Sequence, residues 1–157
     1  MRFGGPQSGK TAKPAPQARE LVWMLDRLHD LKQFELITII DEDHHWPIEQ
    51  QDFNEIVGNL IDNAGKWARH TVAVSLIENS AHYIILIEDD GPGVDKENIE
   101  KIGSRSVRLN HEIMGHGLGL SIVIDIVERY QGTVNFSKSQ FGGFSAQVEL
   151  PKNASEE

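Results

Sequence analysis

Cysteine is absent from the 157 residues, which excludes a disulfide framework, a cysteine-ligated zinc site and a thiol nucleophile together. Basic residues are scarce as well: 15 Lys and Arg face 24 Asp and Glu, for a net charge of −9. Phosphate backbones and anionic lipid surfaces do not attract such a chain, so general affinity for nucleic acid or membrane is not expected, and a phosphate ligand needs local positive potential. Long apolar runs are also missing. Ile84-Ile85-Leu86-Ile87 is among the longest, far below the roughly 20 residues that cross a bilayer. No apolar signal core opens the chain, which predicts a cytoplasmic location. What is present, 39% hydrophobic and 25% charged residues, is the composition of one soluble globular domain with a core of its own.

Residues 1–16 are rich in Gly, Pro, Lys, Ser and Gln and carry one large apolar side chain, Phe3. They read as a flexible linker or tail, and residues 152–157 as a disordered end, leaving a domain over 17–151. From Gln17 to Gln33, Leu21, Met24, Leu25, Leu28 and Leu31 recur at helical spacing, and Phe34 to Ile40 reads as a strand. A second helix follows Pro47, with Asp52 and Glu55 placed as a capping pair and Phe53, Ile56, Val57, Leu60, Ile61 and Ala64 as its apolar stripe. Val72 to Glu78 and Tyr83 to Glu88 form a hairpin across Asn79-Ser80. Asp95 to Met114 is a polar excursion read as a mobile lid. Leu118 to Tyr130 is a third helix that Gly132 ends in a left-handed cap. Thr133 to Ser137 and Phe144 to Leu150 close the chain as a hairpin across Gly142-Gly143. Antiparallel strand pairs with one-striped helices predict a two-layer α/β sandwich, helices on one face of a mixed, mostly antiparallel sheet.

Two patterns fail on context. Gly4-x4-Gly9-Lys10-Thr11 spells a phosphate-binding P-loop, but that loop needs a strand before it and a helix after it, and Pro14 and Pro16 cannot continue a helix from Thr11. His29-Asp30-Leu31-Lys32 resembles the phosphoacceptor signature of two-component kinases, but Phe34 stands where its proline belongs. His29 is read as a surface histidine on an amphipathic helix.

Three other segments carry chemistry together. At roughly 100° per residue, Glu55, Asn59, Asn63 and Lys66 fall within an arc of about 80° beside the apolar stripe. Two carboxamides one turn apart are neutral oxygen ligands that suit Mg²⁺ when a nucleotide's phosphates bring the negative charge, and Lys66 adds a point charge for phosphate. Asp89-Asp90-Gly91-Pro92-Gly93 follows an apolar strand; a carboxylate there accepts an N–H while bare glycine backbone lets a flat ring approach. A purine bearing an exocyclic amino group fits. Gly115-His116-Gly117-Leu118-Gly119-Leu120 opens a helix, presenting N–H donors and the positive end of its dipole to an anion.

In this order and spacing the segments resemble the ATP-binding boxes of the GHKL superfamily: Asn59 to Trp67 as the N box, Asp89 to Gly93 and Gly115 to Leu120 as the two glycine boxes. The likeness spans about residues 17–151 and is greatest to the catalytic and ATP-binding domain of sensor histidine kinases, PhoQ-like ones in particular. It implies the Bergerat ATP-binding fold with an ATP lid, and Mg²⁺-ATP as ligand. By position, Asn63 would ligate Mg²⁺ with help from Asn59, and Lys66 would contact phosphate. Trp67 would lie against the adenine, and Asp89 would accept its amino group. Gly91 and Gly93 would line the base. Gly115, His116, Gly117, Leu118, Gly119 and Leu120 would hold the lid hinge and the phosphates, with Arg105 reaching a phosphate from the lid. Glu55 would polarise an acceptor histidine. The phenylalanine box of many kinases is not recognisable here.

ATP-hydrolysing members of the superfamily place a Glu one turn before the metal-binding Asn, where this chain has Asn59. A carboxamide is not a base for water, so the resemblance implies phosphoryl transfer to a histidine on a separate helical dimerisation domain, and onward to a response regulator. The isolated domain would be a monomer without autophosphorylation and the full-length kinase a homodimer, whose parent chain can be anchored in the inner membrane. An anti-sigma-type serine kinase and a non-catalytic nucleotide-binding module are the alternatives.

Overall fold

The computed structural model describes residues 10–102 and 117–152. Along the chain run β1 (Thr11–Ala12), α1 (Pro14–Leu28), β2 (Gln33–Thr38), β3 (Trp46–Glu49), α2 (Gln50–Trp67), β4 (Thr71–Glu78) and β5 (His82–Asp89). They are followed by α3 (Lys96–Ile102), α4 (Gly117–Arg129), β6 (Thr133–Lys138) and β7 (Phe144–Pro151). Five strands form one sheet in the order β2-β4-β5-β7-β6, and β1 pairs with β3 separately. β2 runs parallel to β4, whereas β4–β5, β5–β7 and β6–β7 are antiparallel. The sandwich expected from the element order is therefore present, with a mixed and mostly antiparallel sheet.

Alternation along the strands sends every second side chain to the helical layer. Val72, Val74 and Leu76 of β4, Ile85 and Ile87 of β5, and Ala146, Val148 and Leu150 of β7 are buried there. The stripe of α2, from Phe53 to Ala64, and Leu120, Val123, Ile126 and Val127 of α4 join them in one core. Asn79 makes the β4–β5 turn by accepting the N–H groups of Ala81 and His82 on its side-chain oxygen.

Several expectations need correction. Residues 10–16 are not a tail: Thr11 pairs with Glu49 across the β1–β3 ribbon, and α1 starts at Pro14. Proline is tolerated in a first turn, where no intrahelical bond needs its N–H. The α1 stripe is also different. Pro14, Ala15, Ala18 and Leu25 are buried, while Met24, Leu28 and Leu31 are 45%, 73% and 97% exposed. The earlier start lets small alanines set a close approach, and Leu31, at φ 71°, lies past the helix end. The polar excursion begins with α3, whose first turn is capped by Asp95 accepting the Asn98 N–H at 3.0 Å; the rest, 103–116, lies outside the described residues. At the end of α4 it is Gln131, not Gly132, that takes the left-handed conformation, at φ 63°.

Asp52 and Glu55 do not cap α2 either. The residue before the helix, Glu49, makes no side-chain cap bond, and the Gln50 N–H goes to the Lys10 carbonyl at 2.9 Å. Asp52 instead accepts the Tyr130 hydroxyl at 2.6 Å, while that hydroxyl takes the Glu49 N–H. Burial first, and then the bond to Asp52, push the Tyr130 phenol well above its ordinary range. Tyr130→Phe deprives two part-buried groups of their partner, so stability should fall by about 1–2 kcal/mol. Calorimetry would show this as a drop of about 2–8 °C in Tm.

Candidate functional site

The acidic pair at the end of β5 divides its work. Asp90 is structural: its Oδ1 accepts the N–H groups of Arg69, His70 and Thr71 at 2.8–3.1 Å, tying the chain that leaves α2 to the mouth of β4. Burial pushes this carboxyl up, and those backbone donors outweigh it and hold it below the usual range. Asp89 is fully buried. Its Oδ1 accepts the Gly91 N–H at 2.8 Å and the Phe144 N–H at 3.1 Å, and among the described residues its Oδ2 has no hydrogen-bond partner. Burial, only partly offset by those two donors, raises the Asp89 pKa.

Backbone approaches Asp89 so closely that side chains are excluded. A Cβ on Gly143 would strike Asp89 Oδ1 and stand 2.5 Å from the Gly91 nitrogen, and one on Gly91 would strike the Trp67 carbonyl. Trp67 and Gly91, read from separate motifs, are thus in contact. Ser139 closes the turn between β6 and β7: its hydroxyl donates to the Asp89 carbonyl at 2.6 Å and accepts the N–H groups of Phe141 and Gly143. Beside this turn opens a cavity of about 720 Å³ lined by Gly93, Val94, Ile99, Phe136 and Gly143 among others. Gly143 borders both the cavity and the buried carboxylate. That volume suits a nucleotide-sized ligand.

The α2 row is half-exposed beside its apolar stripe. Asn59 Nδ2 donates to the Glu55 carbonyl at 2.7 Å, and Glu55 and Lys66 are exposed. Lys66 lies 3.8 Å from Asp62. A Cβ on Gly119 would stand 3.2 Å from Asn59 Oδ1, so the second glycine segment abuts the asparagine row where α4 packs on α2. Gly117 and Leu118 are the first residues of α4, and Leu120 is buried in the core, a packing residue rather than an exposed phosphate contact. Arg105, Gly115 and His116 lie outside the described residues.

The residues that sequence reasoning missed are Val94, Ile99, Phe136 and Ser139. Only the Gly142-Gly143 pair before the last strand hinted that this turn reaches the site. His29 also departs from its reading as a surface residue: its side chain is 15% exposed and its Nε2 lies 2.9 Å from Asp62 Oδ1.

A buried strand-end carboxylate beside a bare glycine turn, with a carboxamide row on the neighbouring helix, is set into a two-layer α/β sandwich. The chain belongs to the histidine kinase-, DNA gyrase B- and HSP90-like ATPase family, whose sequence model matches residues 48–154. It is 37% identical over 105 residues to the sensor protein kinase CarS of Pseudomonas aeruginosa, covering 67% of this chain and 24% of that protein. It is 32% identical to the sensor protein PhoQ of Escherichia coli K12, covering 98% of this chain and 33% of that protein. The chain thus spans a quarter to a third of the length of these curated relatives. Among solved structures, the catalytic domain of histidine kinase ThkA superposes over 100% of both chains with a TM-score of 0.77 at 20% identity. The mycobacterial sensor histidine kinase MprB does so over 91% of this chain and 97% of its own, with a TM-score of 0.73 at 22% identity.

Proposed function

We propose that the chain binds Mg²⁺-ATP and passes its γ-phosphoryl group to a histidine on a separate phosphoacceptor domain, as the kinase engine of a two-component system. The observation that carries this reading is Asp89, a fully buried carboxylate with one oxygen lacking a partner among the described residues, next to backbone that no side chain can crowd. A purine amino group supplies the donor that oxygen requires, and a hydrogen bond to a charged acceptor contributes about 1.5–3 kcal/mol. Gly91 and Gly93 would lie along the base, with Trp67 at its edge and Val94, Ile99 and Phe136 as the apolar walls.

The donor set also fits a nucleotide-borne metal. Among the described residues no three His, Cys, Asp or Glu side chains gather into a metal site, so the ion would come with the phosphates, and Asn63 and Asn59 would add neutral oxygens. Mg²⁺ would neutralise charge on the transferred group. Lys66 and the N-terminal backbone of α4 would hold phosphate oxygens, with Arg105 and the Gly115-His116 segment as further contacts. The acceptor imidazole nitrogen bonds to the γ-phosphorus as the bond to the bridging oxygen breaks, and ADP leaves. Glu55, exposed at the outer end of the row, would orient that imidazole. Asn59 offers no base for water, which favours transfer over hydrolysis. The working unit would begin near residue 10, lie in the cytoplasm, and be monomeric alone and dimeric within its parent kinase, with a response regulator as the final acceptor.

With labelled ATP, label should appear only when a phosphoacceptor domain is supplied. It should be acid-labile, as phosphohistidine is; acid-stable label would instead indicate a serine kinase. Asn63→Ala should weaken Mg²⁺-dependent ATP binding about tenfold or more while leaving Mg²⁺-free binding of adenosine in place, as titration calorimetry would show. Equal losses with both ligands would remove Asn63 from the metal.

A further inference from the structure

We propose that His29 is a positioning residue for Lys66, acting through Asp62; the inference rests on the reading that Lys66 contacts phosphate. His29 follows the last residue of α1 and leans on α2 at Asp62 and Gly65, the positions on either side of Asn63. Its ring occupies the space that glycine leaves at position 65, where a Cβ would come within 2.6 Å of it. The seat is reinforced by Lys32, whose Nζ donates to the Gly65 carbonyl at 2.7 Å, and by Phe34, whose ring centroid lies 6.0 Å away. His29 and Lys32, from the α1–β2 connection, therefore grip one turn of the helix that carries Asn63 and Lys66, with Phe34 of β2 behind the imidazole.

Asp62 is shared at that grip. Its Oδ1 lies 2.9 Å from His29 Nε2, and its Oδ2 lies 3.8 Å from Lys66 Nζ. The first distance is a hydrogen bond and the second is not: an ammonium that has closed on a carboxylate sits at about 2.7–2.9 Å. The imidazole fixes the carboxylate's rotation and draws it away from Lys66, leaving an exposed ammonium whose donors can serve a phosphate. Without that bond Asp62 would turn onto the lysine one turn along the same helix face and compete with the ligand. The His-Asp-Leu-Lys sequence thus acts as a brace on the phosphate-binding lysine and is not an acceptor of phosphate.

Binding of ATP and of adenosine, which has no phosphates, is measured for the 157-residue chain and its variants. His29→Phe keeps a ring over Gly65 but loses the bond; ATP should bind about two- to fivefold more weakly, the factor a half-exposed ion pair carries, with adenosine unchanged. Asp62→Asn removes a competitor that His29 already holds off, so ATP binding should stay close to parental. In the Asp62→Asn background, His29→Phe should have no further effect. His29→Gln, which returns an N–H near Nε2, should restore parental affinity and carries the test if the Phe variant melts early. Additive effects in the double variant, equal losses for adenosine, or an unchanged ATP affinity in His29→Phe overturn the brace. Lys66→Ala separates the two levels. Unchanged ATP affinity there refutes the lysine's role and the inference with it, whereas a loss there beside flat His29 variants refutes the brace alone.

Discussion

Asp89→Asn should weaken ATP binding by about ten- to a hundredfold, because a hydrogen bond to a charged acceptor is worth about 1.5–3 kcal/mol and each 1.4 kcal/mol is a factor of ten. The geometry makes the substitution worse than neutralisation. Oδ1 is committed to the N–H groups of Gly91 and Phe144, so the asparagine oxygen must take that place. Its NH₂ then stands where Oδ2 was. A donor would face the adenine amino group, and a guanine carbonyl would become the better partner, so the ratio of ATP to GTP affinity should collapse. Calorimetric titration with both nucleotides checks this, and unchanged ATP affinity would sink the pocket assignment.

The same carboxyl gives two pH effects of opposite sign. Its pKa is raised in the fold, mainly by burial, so the folded chain binds that proton more tightly than the unfolded chain. Protonation therefore favours the fold as pH falls through the carboxylate range. ATP binding moves the other way, since a protonated Asp89 no longer offers a charged acceptor. Asp90, held low by its backbone donors, contributes stability that is present above its unfolded pKa and is lost as pH falls through its folded one. Affinity and stability profiles measured side by side on Asp89→Asn and the parent separate these contributions.

Gly143→Ala is the second large effect. The new methyl would meet Asp89 Oδ1, the Asp89 carbonyl and the Gly91 nitrogen at once. None of these is the yielding end of a flexible side chain. The turn is also pinned by Ser139, which bonds the Asp89 carbonyl and the Gly143 N–H, so relief requires the β6–β7 turn to leave the end of β5. Overpacking of this kind costs about 1–3 kcal/mol, a fall of about 2–12 °C in Tm for a chain of this size. Nucleotide affinity should fall further than stability, because the displaced atoms hold the acceptor. A variant with parental Tm and parental ATP affinity would show that the turn has slack.

The sequence made the helices and strands around the site legible where one period dominates. The stripe from Phe53 to Ala64 and the alternation of Val72, Val74 and Leu76 each admit one reading. Legibility ended where tertiary contact decides. Pro14 and Pro16 look like breakers until β1 docks on β3 and lets α1 begin on them. Asp52 looks like a cap until Tyr130 arrives from 78 residues away. Asp89 stood out by type and position, but its division of labour with Asp90 depends on N–H groups donated by Arg69 and His70 of the α2–β4 connection and by Thr71 at the start of β4. His29 was misread because the gap it fills is made by a glycine on another helix.

β5 is the third of five strands, bonded on both sides by β4 and β7. Amides in such a strand exchange with solvent only through the largest openings of a fold, whereas those of loops and termini exchange through small local ones. Asp89 is the last residue of that strand. Its carboxylate therefore stays in register through local fluctuations of the loops around it, and deuterium uptake at the end of β5 should trail that of every loop bordering the cavity.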